Sequence, residues 1–368
     1  MTVRTRAAVV HQRGGGFTLD EVEIDDPRPR EVLVRIVACG ICHTDISARD
    51  GLFSMRFPAV FGHEGVGIVE RVGAEVARIR PGDKVVVSFS SCGECSSCHE
   101  GHPARCRAFG ELNFGDARVD GSSTIWDTRG EPVGGCFFGQ SSLSYHALTR
   151  ERNVIPVDAA DDDELAVFAP LACGVQTGAG TVLNELMPRP GESVVVFGAG
   201  TVGLSAVMAA RLAGAAPIVA IDIVPSRLEL AKELGASLVI NGRQEDVSAR
   251  LREIVGDVDH AVETTGLSRI IDLAMRSLSL RGKVSLLGIA ADDPDERVTP
   301  RPPGRHQRVI HSIAGDSDPQ TFIPFLIRCY KEGKFPFNGL IREYPASGIN
   351  EAVRDSLDGV TIKPVLRF

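Results

Sequence analysis

The chain has 368 residues, 43% of them hydrophobic, which is enough to bury the cores of two domains and too apolar for a disordered regulator. Its formal net charge is −8, and its one compact basic segment, 301–308 (RPPGRHQR), carries prolines and a glycine that mark a loop, so nucleic acid is not expected as a partner. Nine cysteines follow a start, MTVRTRAAVV, that has no apolar signal-peptide core; free thiols or metal thiolates in a cytoplasmic protein are therefore expected rather than a disulfide framework.

From Ala7 to Val87 short apolar runs such as EVLVRIVACG and GVGIVERVG alternate with Gly, Pro and Asp turns, which predicts a β-rich domain. Two short polar runs stand out within it, Gly40-Ile41-Cys42-His43-Thr44-Asp45 and Gly62-His63-Glu64. Taken singly, a cysteine is usually a small buried hydrophobe and a His-Glu pair a satisfied turn. Together with the later Cys173, one histidine and two thiolates would hold a zinc ion whose fourth position stays open, the arrangement of a catalytic metal. Spacing alone does not assemble this set.

Next comes C-x2-C-x2-C-x7-C, formed by Cys92, Cys95, Cys98 and Cys106 in a Gly/Ser/His-rich stretch. Four thiolates close a tetrahedral zinc site with no open position, so this site is expected to fold a loop rather than to catalyse. An iron–sulfur cluster also uses four cysteines and is the alternative. His99 and His102 lie inside the loop, but a complete thiolate set leaves them no necessary role.

After Arg152 the pattern changes. Asp161 to Glu164 (DDDE) precede LAVFAPLACGVQTG, as expected where negative charge meets a helix N-terminus. The apolar stretch 193–224 is broken by Gly198, Gly200, Gly203, Arg211, Gly214 and Pro217, and reads as strand, turn, helix and strand, not as a membrane span. Strands are expected at 193–198, 218–222, 238–240, 259–262, 283–287 and about 309–313, separated by helical patterns such as SRLELAKELGA. Six strands alternating with helices imply a doubly wound parallel sheet.

At the first turn of that sheet stands Gly198-Ala199-Gly200-Thr201-Val202-Gly203, with Asp222 closing the next strand 19 residues beyond Gly203. Such glycines permit a tight turn and close approach of backbone to a pyrophosphate at the helix N-terminus, and the acid accepts from ribose hydroxyls. Asp222 favours NAD because it repels a 2′-phosphate, whereas Arg227 nearby would blunt that preference. The tail, 314–368, holds one amphipathic helix (TFIPFLIRCYKEGKF) and ends in the strand-like IKPVLRF; it is too short for a domain and is expected to pack back on the first one.

These residues resemble the zinc-containing alcohol dehydrogenases of the medium-chain dehydrogenase/reductase superfamily over essentially the whole chain. The resemblance is carried by Gly62-His63-Glu64 followed by Gly67, Gly73 and Val76, by the four-cysteine lobe, by the dinucleotide turn and by 171–178 (LACGVQTG). Within the family the chain is most similar to bacterial aryl-alcohol (benzyl-alcohol) dehydrogenases, judged by FFGQSSLSYHALTRERNVIPV, VETTG and the C-terminal run from KFPFNG to VLRF.

The resemblance implies an α/β protein with a GroES-like β-rich catalytic domain, 1–170 with 314–368, and a Rossmann NAD-binding domain, 171–313. It implies that Cys42, His63 and Cys173 bind the catalytic zinc with Glu64 beside it, and that Asp45 bonds His63. Cys42 is chosen over Cys39 because it directly precedes the His-Thr-Asp run. Thr44 corresponds to the hydroxyl that bonds the substrate oxygen, His43 and Lys363 to cations that meet the cofactor pyrophosphate, and Thr177 to a neighbour of the nicotinamide. Where the horse-liver-type enzymes carry a histidine that finishes the proton relay, this chain has Ser47. Two zincs, NAD, a small alcohol or aldehyde and a homo-oligomer are implied. The alternatives are a thiol-dependent formaldehyde dehydrogenase, a terpenoid (geraniol-type) alcohol dehydrogenase and a dinucleotide sensor that has lost catalysis.

Overall fold

The computed structural model describes residues 2–289 and 298–368. The chain divides into two compact units, one of Met1–Cys173, Asp318–Ile327 and Asn338–Phe368, the other of Gly174–Ser317 and Arg328–Phe337. The tail is thus shared: residues 314–317 and 328–337 group with the second unit, although they were expected with the first. The amphipathic helix Pro319–Lys331 straddles this division, with its start in one unit and its end in the other.

The first unit is built from two sheets. One runs in the order Ala59–Val60, Val3–Val10, Phe17–Ile24, Ile125–Asp127 and Pro132–Val133. Ala7, Val9, Val22, Ile24, Leu33, Val60, Ile125, Val133 and Leu148 form a buried cluster against it. The other sheet runs Val154–Pro156, Lys84–Val87, Gly65–Val72, Glu31–Gly40, Lys363–Arg367 and Ile341–Pro345, with His146–Arg150 also paired to Glu31–Gly40. The C-terminal strand lies antiparallel to Glu31–Gly40, Val365 facing Gly40 and Leu366 facing Cys39. This pairing carries Lys363 to the Ile41–Cys42 turn, a placement that sequence distance hides.

The second unit holds a six-stranded parallel sheet in the order Leu238–Asn241, Ile218–Asp222, Val194–Phe197, Val258–Glu263, Leu278–Leu286 and Arg308–His311. This is the doubly wound order, in which the chain leaves the first strand toward one edge and later returns to its other side. Val194–Phe197 and Ile218–Asp222 are buried at every residue, as a parallel sheet covered on both faces requires. The helix Pro225–Leu234 begins at a proline, whose missing N–H is harmless in a first turn, and ends at Gly235 with φ 126. The fifth strand starts at Leu278, five residues before the expected Lys283. The polar run Ser279–Lys283 hides it: Leu278 pairs with Val258, the next pair is Lys283 with His260, and the register shifts across the residues between them.

Candidate active site and dinucleotide turn

The helix His43–Arg49 begins at Cys42, and Asp45 organises that start. Its Oδ2 accepts from the Cys42 backbone N–H at 2.9 Å, and its Oδ1 accepts from the Gly62 N–H at 3.0 Å and from His63 Nδ1 at 2.8 Å. One carboxylate therefore joins the segments 42–45 and 62–63, and an acid in a first turn suits the helix dipole. Asp45, His63 and Glu64 are buried. With Nδ1 donating to Asp45, Nε2 is the ring atom left for a metal to take in place of a proton, and this buried atom makes no hydrogen bond.

Cys173 ends the turn Ala169–Ala172 and closes the set. Ligand atoms of Cys42, His63, Glu64 and Cys173 lie within 4.8 Å of one another. The Cys173 contact pulls the Cys42 thiol well below its ordinary range even though burial opposes ionisation. Burial works against the imidazolium of His63, but Asp45 and Cys42 outweigh it and carry the His63 pKa up to about 10. The pocket thus calls for positive charge between the sulfurs and Nε2. A zinc ion fits, because it satisfies the orphaned nitrogen and both thiolates at once. The sulfur of Cys42 also lies 3.6 Å from the Thr44 hydroxyl.

Glu64 turns both carboxylate oxygens to Lys363 Nζ at 2.9 Å, and the third ammonium hydrogen goes to Ile41 O at 3.0 Å. Lys363 is 2% exposed. Burial alone would lower its pKa, but Glu64 and Cys42 raise it above the ordinary lysine range. This placement departs from the expected pyrophosphate anchor: all three of its hydrogens are committed inside the fold, because a buried ammonium requires them to be. His43, by contrast, is exposed at the first position of its helix.

Aromatic rings surround the histidine. Phe138 stacks on the His63 ring at 4.4 Å and 22°, and Phe137 meets it edge-on at 5.6 Å. Phe114 stands edge-on to Phe138 at 5.4 Å and stacks on Phe53 at 4.3 Å. Phe138 holds the left-handed φ of 52 that a bulky residue seldom adopts, and its ring lies on that of His63. Spacing did not flag this wall. Its one trace was the run FFGQSSL, read only for resemblance.

The four cysteines of the lobe also converge within 4.8 Å, and none of the nine cysteines forms a disulfide. Cys95 caps the short helix Ser96–His99, and backbone N–H groups point at sulfur: Glu94 and Cys95 donate to Cys92 at 3.4 Å, and Cys92 donates to Cys106 at 3.3 Å. The Arg107 and Cys98 N–H groups lower the Cys95 thiol to about 6. A closed thiolate site for zinc fits this donor set. His99 is exposed and lies outside the cluster.

In the second unit Gly198 has φ 94, and a Cβ there would meet Thr264 Oγ1 at 2.3 Å; one on Gly203 would meet Gly198 O at 1.8 Å. A Cβ on Gly200 would meet nothing within 4 Å, so the helix Thr201–Leu212 starts beneath an open approach that Gly200, Thr201 and Val202 border. Asp222 Oδ2 accepts from the Ala199 N–H at 2.6 Å, and Oδ1 accepts from the Ile223 and Val224 N–H groups. Arg227 is half-buried, and its Nε makes no hydrogen bond. A dinucleotide fits this turn, since the glycine cradle is open where a pyrophosphate would meet the helix N-terminus. Thr177 sits half-buried in the helix Gly174–Gly180, whose Gly178 permits contact with Val202 O and Ser205.

Residues 28–158 match the family described as alcohol dehydrogenase GroES-like domain, and residues 201–330 match zinc-binding dehydrogenase. The chain is 44% identical to a geraniol dehydrogenase of Castellaniella defragrans, over 100% of this chain and 98% of that protein. Among solved structures it is similar to a benzyl alcohol dehydrogenase from Acinetobacter calcoaceticus (TM-score 0.93, 40% identity, covering 100% and 99% of the two chains). It is equally similar in fold to an alcohol dehydrogenase zinc-binding domain protein from Burkholderia ambifaria (TM-score 0.93, 45% identity, 100% of both chains).

Proposed function

We propose, on the premise that the chain belongs to the zinc-dependent alcohol dehydrogenases, that it oxidises primary alcohols bearing an aromatic or allylic group to their aldehydes. As a member of that family it is an oxidoreductase that uses zinc and NAD. A zinc held there with an open position would make an alcohol hydroxyl acidic near neutral pH, and bound NAD would supply the hydride acceptor.

Cys42, His63 and Cys173 are assigned to that zinc, and Cys92, Cys95, Cys98 and Cys106 to a second, structural one. Asp45 holds His63 in the tautomer that presents Nε2. The Thr44 hydroxyl takes the substrate proton while passing on its own, but it cannot keep it, because a hydroxyl is a poor base. Ser47 lies one helical turn beyond Thr44 on the same face, a second hydroxyl where a base would serve. Beyond Thr44 the proton would leave through hydroxyls of bound NAD and water, and exposed His43 is assigned to the cofactor phosphate. Gly198 to Gly203, Asp222 and Arg227 are assigned to NAD, and Thr177 to the nicotinamide side. Lys363 is assigned to Glu64 instead. Among the described residues no helix is long and apolar enough to cross a membrane. A cytoplasmic homo-oligomer is part of the proposal.

The phenylalanine wall on His63 is the observation that carries the substrate class. Burying a ring against such a wall contributes about 2 to 3 kcal/mol, far more than a methyl group does. Benzyl alcohol is therefore expected to exceed ethanol in kcat/KM by roughly tenfold or more. A panel with benzyl alcohol, geraniol and ethanol, read at the NADH absorbance, tests this; equal efficiencies would reject the aromatic or allylic assignment. Formaldehyde turnover only with added thiol would replace it.

A further inference from the structure

We infer that Gln140 is a positioning residue which, with Ser88, ties the His63 and Cys173 peptides to one buried strut and so sets the spacing of two metal ligands. This rests on the assignment of Cys42, His63 and Cys173 to zinc.

Gln140 is 2% exposed and Ser88 fully buried. The Gln140 amide Nε2 donates toward His63 O at 3.2 Å, Val87 O at 3.0 Å and Ser88 O at 3.3 Å, while its Oε1 accepts from the Gly65 N–H at 3.3 Å. One carboxamide thus grips the backbone on both sides of Glu64 and joins it to the end of the strand Lys84–Val87. Two hydrogens serve three carbonyls, so every donor is in use. From the same point Ser88 Oγ donates to Ala172 O at 2.8 Å, the carbonyl of the peptide that enters Cys173.

The path therefore runs from the His63 carbonyl through Gln140 and Ser88 to the Cys173 peptide, all within one unit. It links ligands that no regular element connects. The approach is close enough that a Cβ on Gly65 would lie 2.6 Å from Ser142 Cβ and 3.1 Å from Gln140 Oε1. Groups that orient metal ligands typically change affinity or activity by 10- to 100-fold when they are lost. Methionine at 140 would preserve volume and strand three buried carbonyls; glutamate would set a carboxylate against them.

The test follows zinc release from the loaded protein to a chelating dye in Gln140→Met, Gln140→Glu, Ser88→Ala and Ser88→Thr, together with the visible spectrum after cobalt exchange. Gln140→Met and Gln140→Glu are expected to speed release of one zinc by roughly 10- to 100-fold and to shift the cobalt bands. Ser88→Ala should do so more weakly, Ser88→Thr should resemble the parent, and the other zinc should leave at the parental rate in all four. Lower melting temperatures with unchanged release and spectra would make the strut merely structural and overturn the inference. If Gln140 variants do not fold, the Ser88→Ala and Ser88→Thr pair decides it by the same readouts. Retention of both zincs by Cys173→Ser would overturn the ligand assignment itself, whatever the Gln140 variants do.

Discussion

Lys363 spends its three hydrogens on Glu64 and Ile41, so its removal strands a carboxylate in a buried pocket. Breaking a buried ion pair from one side costs about 3 to 5 kcal/mol. Lys363→Met is expected to lose stability of that order, and Glu64→Gln in the same chain to recover much of it. Urea unfolding of the four members of this cycle reads the coupling directly; additive losses would show that Lys363 answers to another group. His43 presents the opposite case, an imidazole in solvent at a helix start. His43→Ala is expected to weaken NAD binding several-fold while leaving single-turnover oxidation intact at saturating cofactor. Loss of that turnover, restored by added imidazole, would make His43 the base. Neither placement was open to spacing arguments. Lys363 reads as an ordinary basic residue in a strand until that strand is paired beside Ile41, and only then does its charge meet Glu64.

The glycine turn divides into positions that shape the fold and one that leaves room. Gly198 and Gly203 have backbone or side chain pressed against their missing Cβ atoms, whereas Gly200 has none. Gly200→Ala is therefore expected to melt within a degree or two of the parent and yet to lose NADH affinity by at least roughly tenfold. Gly198→Ala, strained at φ 94, is expected to lose both. Thermal melts and NADH fluorescence titrations separate the two, and an unaltered NADH affinity in Gly200→Ala would remove the pyrophosphate from this turn. The four converging thiols of the lobe are expected to hold it through a bound metal. Cys106→Ser is expected to reduce solubility or melting temperature and to release the structural zinc, as measured by calorimetry and metal analysis; a parental melt would assign the lobe's order to its backbone. The periodic parts of the chain were legible at this scale. Most expected strands of the second unit begin and end within two residues of those observed, and the exception at Leu278 is a polar stretch across which the register with the neighbouring strand shifts.

At the scale of the whole molecule the two metal groups are separate sets with different chemistry, one closed by four thiolates and one of mixed donors. Purified protein is expected to carry two zincs per chain, and Cys173→Ser to remain folded, bind NADH, keep one zinc and lose activity. A fully active Cys173→Ser enzyme would refute the assignment of that cysteine. The four-cysteine lobe and the dinucleotide turn were determined by the sequence alone, since each is local: short spacing brings its parts together whatever the rest of the chain does. The doubly wound sheet was legible for a related reason, because its strands are buried throughout and alternate with helices in the order of the chain. The mixed-donor site was legible only through resemblance. Its members stand on a helix start, a turn after the strand Ala59–Val60 and the turn Ala169–Ala172, and no periodicity relates them. The bond from Asp45 to His63 was likewise implied by resemblance, but tertiary structure alone decided that Gln140 and Ser88 join the third segment, that Phe138 covers His63 and that Lys363 turns inward to Glu64. Each of these is a contact between segments distant in sequence, made because a buried polar or charged group must find its partner wherever the packed core brings one within reach.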